Sequence, residues 1–280
     1  MQRPIGVIDS GVGGLTVVSE LMRQLPKEEI IYIGDTKRCP YGPRPAFEVA
    51  EYTWEMIDYL MSRDIKLLVI ACNTASAVVL DDARQALDIP VIGVIHPGAV
   101  AALKATENLE VGVIGTEGTI SSGAYYEELK SIHNDVKVVS LACPTLVPLV
   151  ESNRYTGEEA KAVIREALEP MLDYPVDSLI LGCTHYPMIE REIQDVVGED
   201  IHVICSGDET ARAVSTLLYH EQLLYTGERR PRHLFYTTGA KAMFQSIAES
   251  WLKEGSLDVR ETDLKLPKAT RKVKSGMEEF

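Results

Sequence analysis

The sequence predicts an α/β protein with two pseudo-symmetric lobes, each a mostly parallel sheet flanked by helices, and a functional cleft between them. One pattern occurs twice, at Leu67–Thr74 and Ser178–His185: an apolar run, a cysteine, then hydroxyl or amide residues. A short run rich in branched residues is typical of a buried parallel strand. The strand and glycine turn that begin at Gly6 are also echoed at Val111–Thr119. Such self-similarity indicates two homologous lobes.

Size and composition are those of an ordinary soluble globular protein. No apolar stretch is long enough to cross a bilayer, and no signal-peptide pattern precedes the strand at Ile5, so we expect a cytoplasmic location. The net charge of −14, without a basic stripe before the last residues, excludes nucleic acid as a main ligand, and we expect no membrane partner. The five cysteines lack CxxC and paired-histidine spacings, which predicts free thiols and no metal.

The first strand, Ile5–Ile8, leads into a glycine-rich loop, Asp9–Gly14, and a helix through Leu25. Glycines at this point allow the backbone to approach another group closely. The loop does not match the dinucleotide fingerprint, and no Walker lysine follows it. The pattern therefore favours a small acidic or anion-binding site over a nucleotide site.

A second strand at Ile30–Ile33 leads to a loop at Cys39–Pro43, which prolines and a glycine make rigid. The backbone N–H groups of Tyr41 and Gly42 are expected to face a ligand. Pro45 suits the first turn of the following helix. The apolar residues that recur at helical spacing in this helix are predicted to be core: Phe47, Ala50, Trp54, Ile57 and Met61.

The first cysteine strand is followed by a helix to about Leu87 and a strand at Val91–Val94, and His96–Pro97–Gly98 is predicted to break the chain. We place the first lobe, with Cys72, at residues 1–97 plus 206–260, and the second lobe, with Cys183, at residues 98–205. Residues 261–280 are predicted to be a weakly ordered tail. The remaining expected elements are a strand at Val136–Ser140, a connecting segment at Cys143–Glu151, a helix to Leu172 opened by a Thr156/Glu159 capping box, a strand at Ile201–Ile204, a helix to about Tyr219 opened by a Ser206/Glu209 capping box, a strand at His233–Thr238 and a helix at Ala240–Leu252.

Both repeated cysteines are expected at the carboxyl end of a strand and the amino end of a helix, with Asn73 or Thr74, and Thr184, as N-caps. Ligands of open α/β sheets bind at that edge. Two thiols on facing lobes can act on opposite faces of a carbon acid, one removing a proton while the other returns one. A mostly ionised thiolate needs about 2–3 kcal/mol of stabilisation, and a helix N-terminus gives only about 0.3–1 kcal/mol.

Other groups must supply the difference, and the candidates are Asp9 beside the first thiol and His185 with Glu151 beside the second. A carboxylate next to a thiolate raises the pKa of the thiol, so Asp9 is better suited to accept a proton or to hold an ammonium group. Capping of the next helix is an equally good explanation of Asp9 from spacing alone.

Four strings resemble those of the glutamate racemases, within the aspartate/glutamate racemase family, and the resemblance extends to about Trp251. They are Asp9–Gly14, Pro40–Gly42, Ala71–Ala75 and Gly182–Pro187. The family implies a cofactor-independent, two-base interconversion of L- and D-glutamate that supplies D-glutamate for peptidoglycan in the cell wall. It also implies a homodimer.

The resemblance also implies the roles of individual residues. Cys72 and Cys183 are the acid/bases, and Asp9, Glu151 and His185 assist proton transfer. The residues implied to hold the substrate are Asn73, Thr74 and Thr184 at the amino-acid head group and Ser10, Tyr41 and Gly42 at the side-chain carboxylate, with Asp9 and His185 beside them and Pro40, Thr116 and Thr119 as further candidates.

Several alternatives remain at this point. Cys39, Cys143 and Cys205 are interpreted as inert buried thiols. Aspartate racemases also carry paired cysteines after strands, and a two-lobed protein that binds an amino acid without catalysis is a different class. A redox dithiol protein is disfavoured because the thiols lie on separate lobes. A pyridoxal-phosphate racemase would need a Schiff-base lysine and a phosphate cradle, and the sequence suggests neither.

Overall fold

The structure is a computed structural model that describes residues 3–152, 154–253 and 255–264. Its strands are β1 (Ile5–Asp9), β2 (Ile30–Gly34), β3 (Leu67–Ile70), β4 (Val91–Gly93), β5 (Glu110–Gly115), β6 (Lys137–Ala142), β7 (Ser178–Gly182), β8 (His202–Cys205), β9 (Leu234–Thr237) and β10 (Asp258–Glu261). Its α-helices are α1 (Leu15–Gln24), α2 (Ala46–Met61), α3 (Asn73–Ala86), α4 (Ile95–Ala105), α5 (Glu117–Ser121), α6 (Ala124–Ile132), α7 (Leu146–Glu151), α8 (Glu158–Leu168), α9 (Glu190–Val197), α10 (Ser206–His220) and α11 (Lys241–Leu252). Short 3₁₀ helices lie at Glu169–Met171 and Tyr186–Ile189.

The strands form two separate sheets, and every pairing within them is parallel. The first sheet has the order β10-β9-β2-β1-β3-β4, and the second has the order β6-β5-β7-β8. The order β2-β1-β3-β4 is therefore repeated by β6-β5-β7-β8, which confirms the predicted α/β architecture of two pseudo-symmetric lobes. Strands β9 and β10 extend the first sheet only.

Each sheet is buried on both faces, as parallel sheets usually are. Alternate residues of β1 enter different cores: Val7 packs with α1, α10 and α11, whereas Ile8 packs with α2 and α3. In the second sheet Val113 and Ile114 divide in the same way between α4 with α6 and α7 with α8. The carboxyl ends of β1 and β3, and of β5 and β7, are thus fixed by packing from both sides.

The predicted chain break at His96–Pro97–Gly98 is wrong, because these residues lie inside helix α4. Pro97 is in the first turn, where a backbone N–H has no partner within the helix and its loss costs nothing. Helix α4 packs Ile95 and Ala99 onto the second sheet. The predicted lobe boundaries, residues 1–97 plus 206–260 and 98–205, stay a prediction.

Neither predicted capping box forms. Helix α8 begins after Gly157, whose φ of +85° favours glycine and whose position offers no side-chain cap. Helix α10 begins after Cys205 without a side-chain cap, and Glu209 instead reaches across to Lys104 at 2.5 Å. In both places the helix begins at a residue other than the one that the sequence pattern predicted, so the capping side chains do not meet the first turn.

Other differences concern short elements. The predicted connecting segment at Cys143–Glu151 contains helix α7, and helices α5 and α6 follow β5, where the sequence indicated no particular element. The first residue of the predicted tail, Glu261, belongs to β10, which pairs with β9; residues 265–280 lie outside the described part of the chain. Among the described residues, the helices include none with the length and apolar character needed to span a membrane.

Candidate active site

A small cavity lies between the carboxyl ends of the two sheets. It has room for about 20 Å³, enough for about one water molecule. Its lining comes from both lobes: Ser10, Pro40, Tyr41, Gly42, Cys72, Asn73, Thr74, Thr116, Val147, Gly182, Cys183, Thr184 and His185. A larger cavity of about 240 Å³ shares only Cys183 and Thr184 with it. We assign the site to the smaller cavity because that cavity contains both repeated cysteines.

Cys72 lies two residues after the end of β3 and is itself the N-cap of α3, so the predicted caps Asn73 and Thr74 are wrong. Its sulfur accepts the N–H of Ala75 at 3.5 Å, and its thiol donates to the hydroxyl of Ser10 at 3.7 Å. Burial, and then the nearby Asp9 carboxylate, raise the pKa of Cys72 to about 12. In this closed state the Cys72 thiol is therefore protonated, and the helix N-terminus does not compensate for burial.

Cys183 lies directly after β7, and its sulfur is 3.9 Å from Nδ1 of His185. The opposite ring nitrogen, Nε2, is 3.3 Å from Oε1 of Glu151 at the end of α7. Burial lowers the pKa of His185, but interactions with the Cys183 sulfur and with the Glu151 carboxylate outweigh burial and raise that pKa to about 10. Interaction with His185 lowers the pKa of Glu151. The ring is therefore a cation at neutral pH, between a sulfur atom and a carboxylate.

Thr184 was predicted as a helix cap, but its side chain is used elsewhere. Its hydroxyl donates to Oδ2 of Asp9 at 3.1 Å, while Oδ1 of the same carboxylate accepts the N–H of Gly11 at 3.0 Å. Asp9 is fully buried. The glycine-rich loop makes this approach possible, because a Cβ on Gly13 would collide with the side chains of Thr184 and His185.

Three threonine hydroxyls form a triangle at one side of the cavity. Thr74 lies 2.9 Å from Thr116 and 3.1 Å from Thr119, and the latter two are 3.0 Å apart. Beside them the N–H of Gly118 donates to the carbonyl oxygen of Gly42 at 2.8 Å. These contacts join the loop after β2 and the start of α3 to the second lobe, which closes the cavity.

Two residues that line the cavity form hydrogen bonds with other side chains of the protein. The Tyr41 hydroxyl donates to Asp35 at 2.6 Å, so it is engaged away from a ligand. Asn73 accepts the hydroxyl of Tyr125 through Oδ1 at 2.7 Å, whereas its buried Nδ2 has no hydrogen-bond partner. A buried amide left in this way is an available donor for a ligand.

Most of the predicted site residues lie along the cavity, and three predicted residues contact it through a neighbour. Asp9 contacts the cavity residue Thr184, Glu151 contacts His185, and Thr119 contacts Thr74.

Sequence reasoning missed Tyr125, Val147 and Cys39. Nothing in the spacing distinguishes Tyr125 or Val147 from core residues. Cys39 was interpreted as inert, although its position beside Pro40 placed it next to the site. In the described residues no cluster of three or more His, Cys, Asp or Glu side chains could hold a metal ion.

Comparison with known proteins identifies the family of the chain. The model of the family described as Asp/Glu/Hydantoin racemase matches residues 5–214, three quarters of the chain. The chain belongs to this family. It is 58% identical to a glutamate racemase of Bacillus cereus over 251 residues, which cover 90% of this chain and 93% of that protein.

Solved structures of family members superpose closely. The glutamate racemase isoform RacE1 of Bacillus anthracis has a TM-score of 0.89 at 48% identity, over 94% of this chain and 98% of its own. A glutamate racemase of Francisella tularensis, solved in complex with D-glutamate, has a TM-score of 0.88 at 35% identity with the same coverage of both chains.

Proposed function

We propose that the protein is a glutamate racemase that interconverts L- and D-glutamate without a cofactor. The observation that carries the proposal is the placement of Cys72 and Cys183, which follow corresponding strands of the two lobes and line one cavity. A planar carbanion held between two acid/bases can lose a proton at one face and gain one at the other. The outcome is inversion of one stereocentre.

The proposed substrate follows from the relatives, which are named glutamate racemases, and from the donors around the cavity. The free Nδ2 of Asn73, the hydroxyls of Ser10 and Thr74, and the amino end of α3 can hold carboxylates. The buried Asp9 carboxylate, which contacts the cavity through Thr184, supplies a negative charge that favours the substrate ammonium group. Because the whole chain is acidic, such local groups must hold an anionic substrate against the overall field.

The proposed proton transfer uses one thiolate and one thiol in each turnover. One cysteine removes the α-hydrogen as a proton, and the other donates its own proton to the opposite face of the carbanion. The enzyme then carries its protons in the opposite arrangement, which suits the reverse reaction. His185 supplies a positive charge beside Cys183, and we assign to Asp9, whose carboxylate raises the pKa of Cys72, the assisting role at the Cys72 side. This assignment of roles, with Glu151 behind His185, is part of the proposal.

The biological setting is proposed with the activity: synthesis of D-glutamate for peptidoglycan. The two acid/bases must be reduced thiols, which a reducing cytoplasm maintains, so we propose a cytoplasmic location. The homodimer stays a prediction. Phe47 on α2 and Tyr219 on α10 are large apolar residues that are 70% exposed in the monomer, so the prediction of Phe47 as a core residue is wrong. Sedimentation of the purified chain measures its oligomeric state.

The test is α-hydrogen exchange in deuterated water with no added cofactor, followed by NMR. We expect deuterium at the α-carbon of glutamate, together with conversion of either enantiomer into the other. Aspartate in a parallel tube distinguishes the aspartate racemase alternative. Binding of glutamate without exchange would instead identify an amino-acid-binding protein and refute the proposal.

A further inference from the structure

A third cysteine borders the candidate site from the first lobe. Cys39 lies in the loop between β2 and α2, next to the cavity residue Pro40, whereas Glu151 ends helix α7 of the second lobe. The thiol of Cys39 donates to Oε1 of Glu151 at a distance of 3.6 Å. This contact bridges the two lobes at the mouth of the cleft, where the Glu151 side chain is 44% exposed.

The oxygen atom that Cys39 contacts is the one that faces the histidine. Oε1 of Glu151 is 3.3 Å from Nε2 of His185, and that buried nitrogen has no aligned hydrogen-bond partner. The imidazole is therefore held on this side by an ion pair alone, and its orientation depends on where the carboxylate sits. A half-exposed glutamate at the end of a helix has several rotamers, so a second contact to Oε1 restricts that position.

The position of the Cys39 sulfur is fixed from the opposite side as well. A Cβ on Gly11 would lie 2.9 Å from this sulfur, so the sulfur packs against the loop that follows Asp9, the last residue of β1. The N–H of Cys39 also donates to the carbonyl of Asp35 at 3.1 Å. Burial, and then the Glu151 carboxylate, raise the pKa of Cys39 well above its ordinary range, so the thiol keeps its proton and remains a donor.

We propose that Cys39 is a positioning residue for proton transfer at Cys183, because its thiol holds the Glu151 carboxylate that orients His185. The proposal rests on the racemase function proposed above and adds a third thiol that never touches the substrate. Cys39 stays protonated throughout turnover, and no bond to its sulfur forms or breaks. The proposed effect passes through Glu151 and His185 to the Cys183 side of the cleft.

This one-sided effect gives the proposal a distinctive test. The two enantiomers have equal free energy, so kcat/KM must be equal in the two directions and cannot report an asymmetry. The deuterium isotope effect on kcat/KM, measured separately with α-deuterated L- and D-glutamate, can report one. In each direction the labelled hydrogen is removed by one cysteine, while the other cysteine delivers a hydrogen from solvent. Slower transfer at Cys183 increases one isotope effect and decreases the other.

The experiment compares Cys39→Ala with wild type, with Glu151→Gln as a reference for loss of the relay and with Cys143→Ala as a matched control. Cys143 is a buried thiol that donates to backbone carbonyls outside the cavity. We expect Cys39→Ala to lower kcat about 3- to 10-fold and to change the ratio of the two isotope effects in the direction seen for Glu151→Gln. Cys39→Ser should restore the wild-type ratio, because it keeps a donor, and Cys143→Ala should leave the ratio unchanged.

An unchanged ratio in Cys39→Ala, or a serine variant that behaves like alanine, overturns the positioning role while leaving the racemase function intact. If the alanine variant does not fold, Cys39→Val fills more of the same space without a donor, and the same two criteria apply to it. A wild-type enzyme that does not racemise glutamate would overturn both proposals together. The two failures are therefore distinguishable from the wild-type measurement.

Discussion

The hydroxyl of Thr184 donates a 3.1 Å hydrogen bond to the carboxylate of Asp9, and this bond joins the carboxyl ends of the two sheets. Both residues are buried, so solvent does not compete for either group. The carboxylate on one lobe is thus positioned by a residue next to the cysteine of the other lobe. Correct placement of Asp9 depends on closure of the cleft.

Thr184→Val tests this dependence, since valine keeps the shape of threonine but cannot donate. A buried carboxylate that loses a donor is left partly unsatisfied, which costs about 1–3 kcal/mol. We expect kcat/KM for glutamate to fall about 10-fold or more in steady-state assays. Thr184→Ser retains the hydroxyl and should stay close to wild type; equal losses in the two variants would contradict the role of this hydrogen bond.

Replacement of either repeated cysteine by serine should abolish most of the activity without loss of the fold. A serine hydroxyl is a far weaker acid than a thiol, and general acid–base catalysis is worth about 10²–10⁴-fold in rate. We expect Cys72→Ser and Cys183→Ser each to lose racemisation by about that factor. Each variant should also retain hydrogen exchange with one enantiomer only, measured by NMR in deuterated water. Near-wild-type turnover in either variant would exclude the two-base mechanism.

Gly118→Ala should impair closure of the cleft. A Cβ at this position would lie 2.7 Å from the carbonyl oxygen of Gly42, in the other lobe, and overpacking of this kind costs about 1–3 kcal/mol. We expect kcat/KM to decrease about 5-fold or more, with little change in the midpoint of urea unfolding. Gly255→Ala is a matched control, because a Cβ there has open space around it.

Lys66 and Glu28 form a buried ion pair at 2.6 Å, and each also binds the segment after α10: Lys66 donates to the carbonyl of Leu223, and Glu28 accepts the N–H of Tyr225. Removal of one partner leaves a buried charge, so we expect Lys66→Met to lower the free energy of unfolding by about 3–5 kcal/mol. The double variant Lys66→Met with Glu28→Gln should be less destabilised than Lys66→Met alone. Urea unfolding measures both, and additive losses would contradict this account.

The charge of His185 predicts a pH dependence of stability. Its folded-state pKa, about 10, lies above the ordinary value of 6.5, so the folded protein binds this proton more tightly than the unfolded chain. The stabilisation is fully present below about pH 6.5 and is lost as pH rises toward about 10. We expect the free energy of unfolding to fall more steeply over this interval in wild type than in His185→Asn. Parallel curves from urea titrations would contradict a charged His185.

Sequence patterns predicted the parts of the molecule in which the residue pattern of one strand and the repetition between the two halves of the chain indicate the same structure. The strands before Cys72 and Cys183 are continuous apolar runs, and they occupy equivalent places in the four-strand order that the two sheets share. The repeated strand and glycine turn predicted that the second lobe restarts the plan of the first. These signals are strong because a buried parallel strand and its ligand-binding end leave little freedom in residue type.

The sequence was less informative where tertiary contacts decided the structure. Threonine is a residue type that often caps helices, yet the hydroxyl of Thr184 donates its hydrogen bond to the carboxylate of Asp9 in the other lobe. Helix α4 includes Pro97 in its first turn, where proline is tolerated, and packing on the second sheet outweighs the low helix propensity of Gly98. Cys39 resembled an inert core thiol, since no local pattern records a contact with Glu151, 112 residues further along the chain.

The water-sized cavity around Cys72 also limits the access of oxidants to this sulfur. Peroxides and alkylating agents react with an accessible thiolate, whereas Cys72 is 6% exposed and protonated in the closed state. A substrate several times larger than a water molecule does not fit the cavity in this conformation. The same narrowness therefore shields the sulfur from irreversible oxidation as well as from solvent.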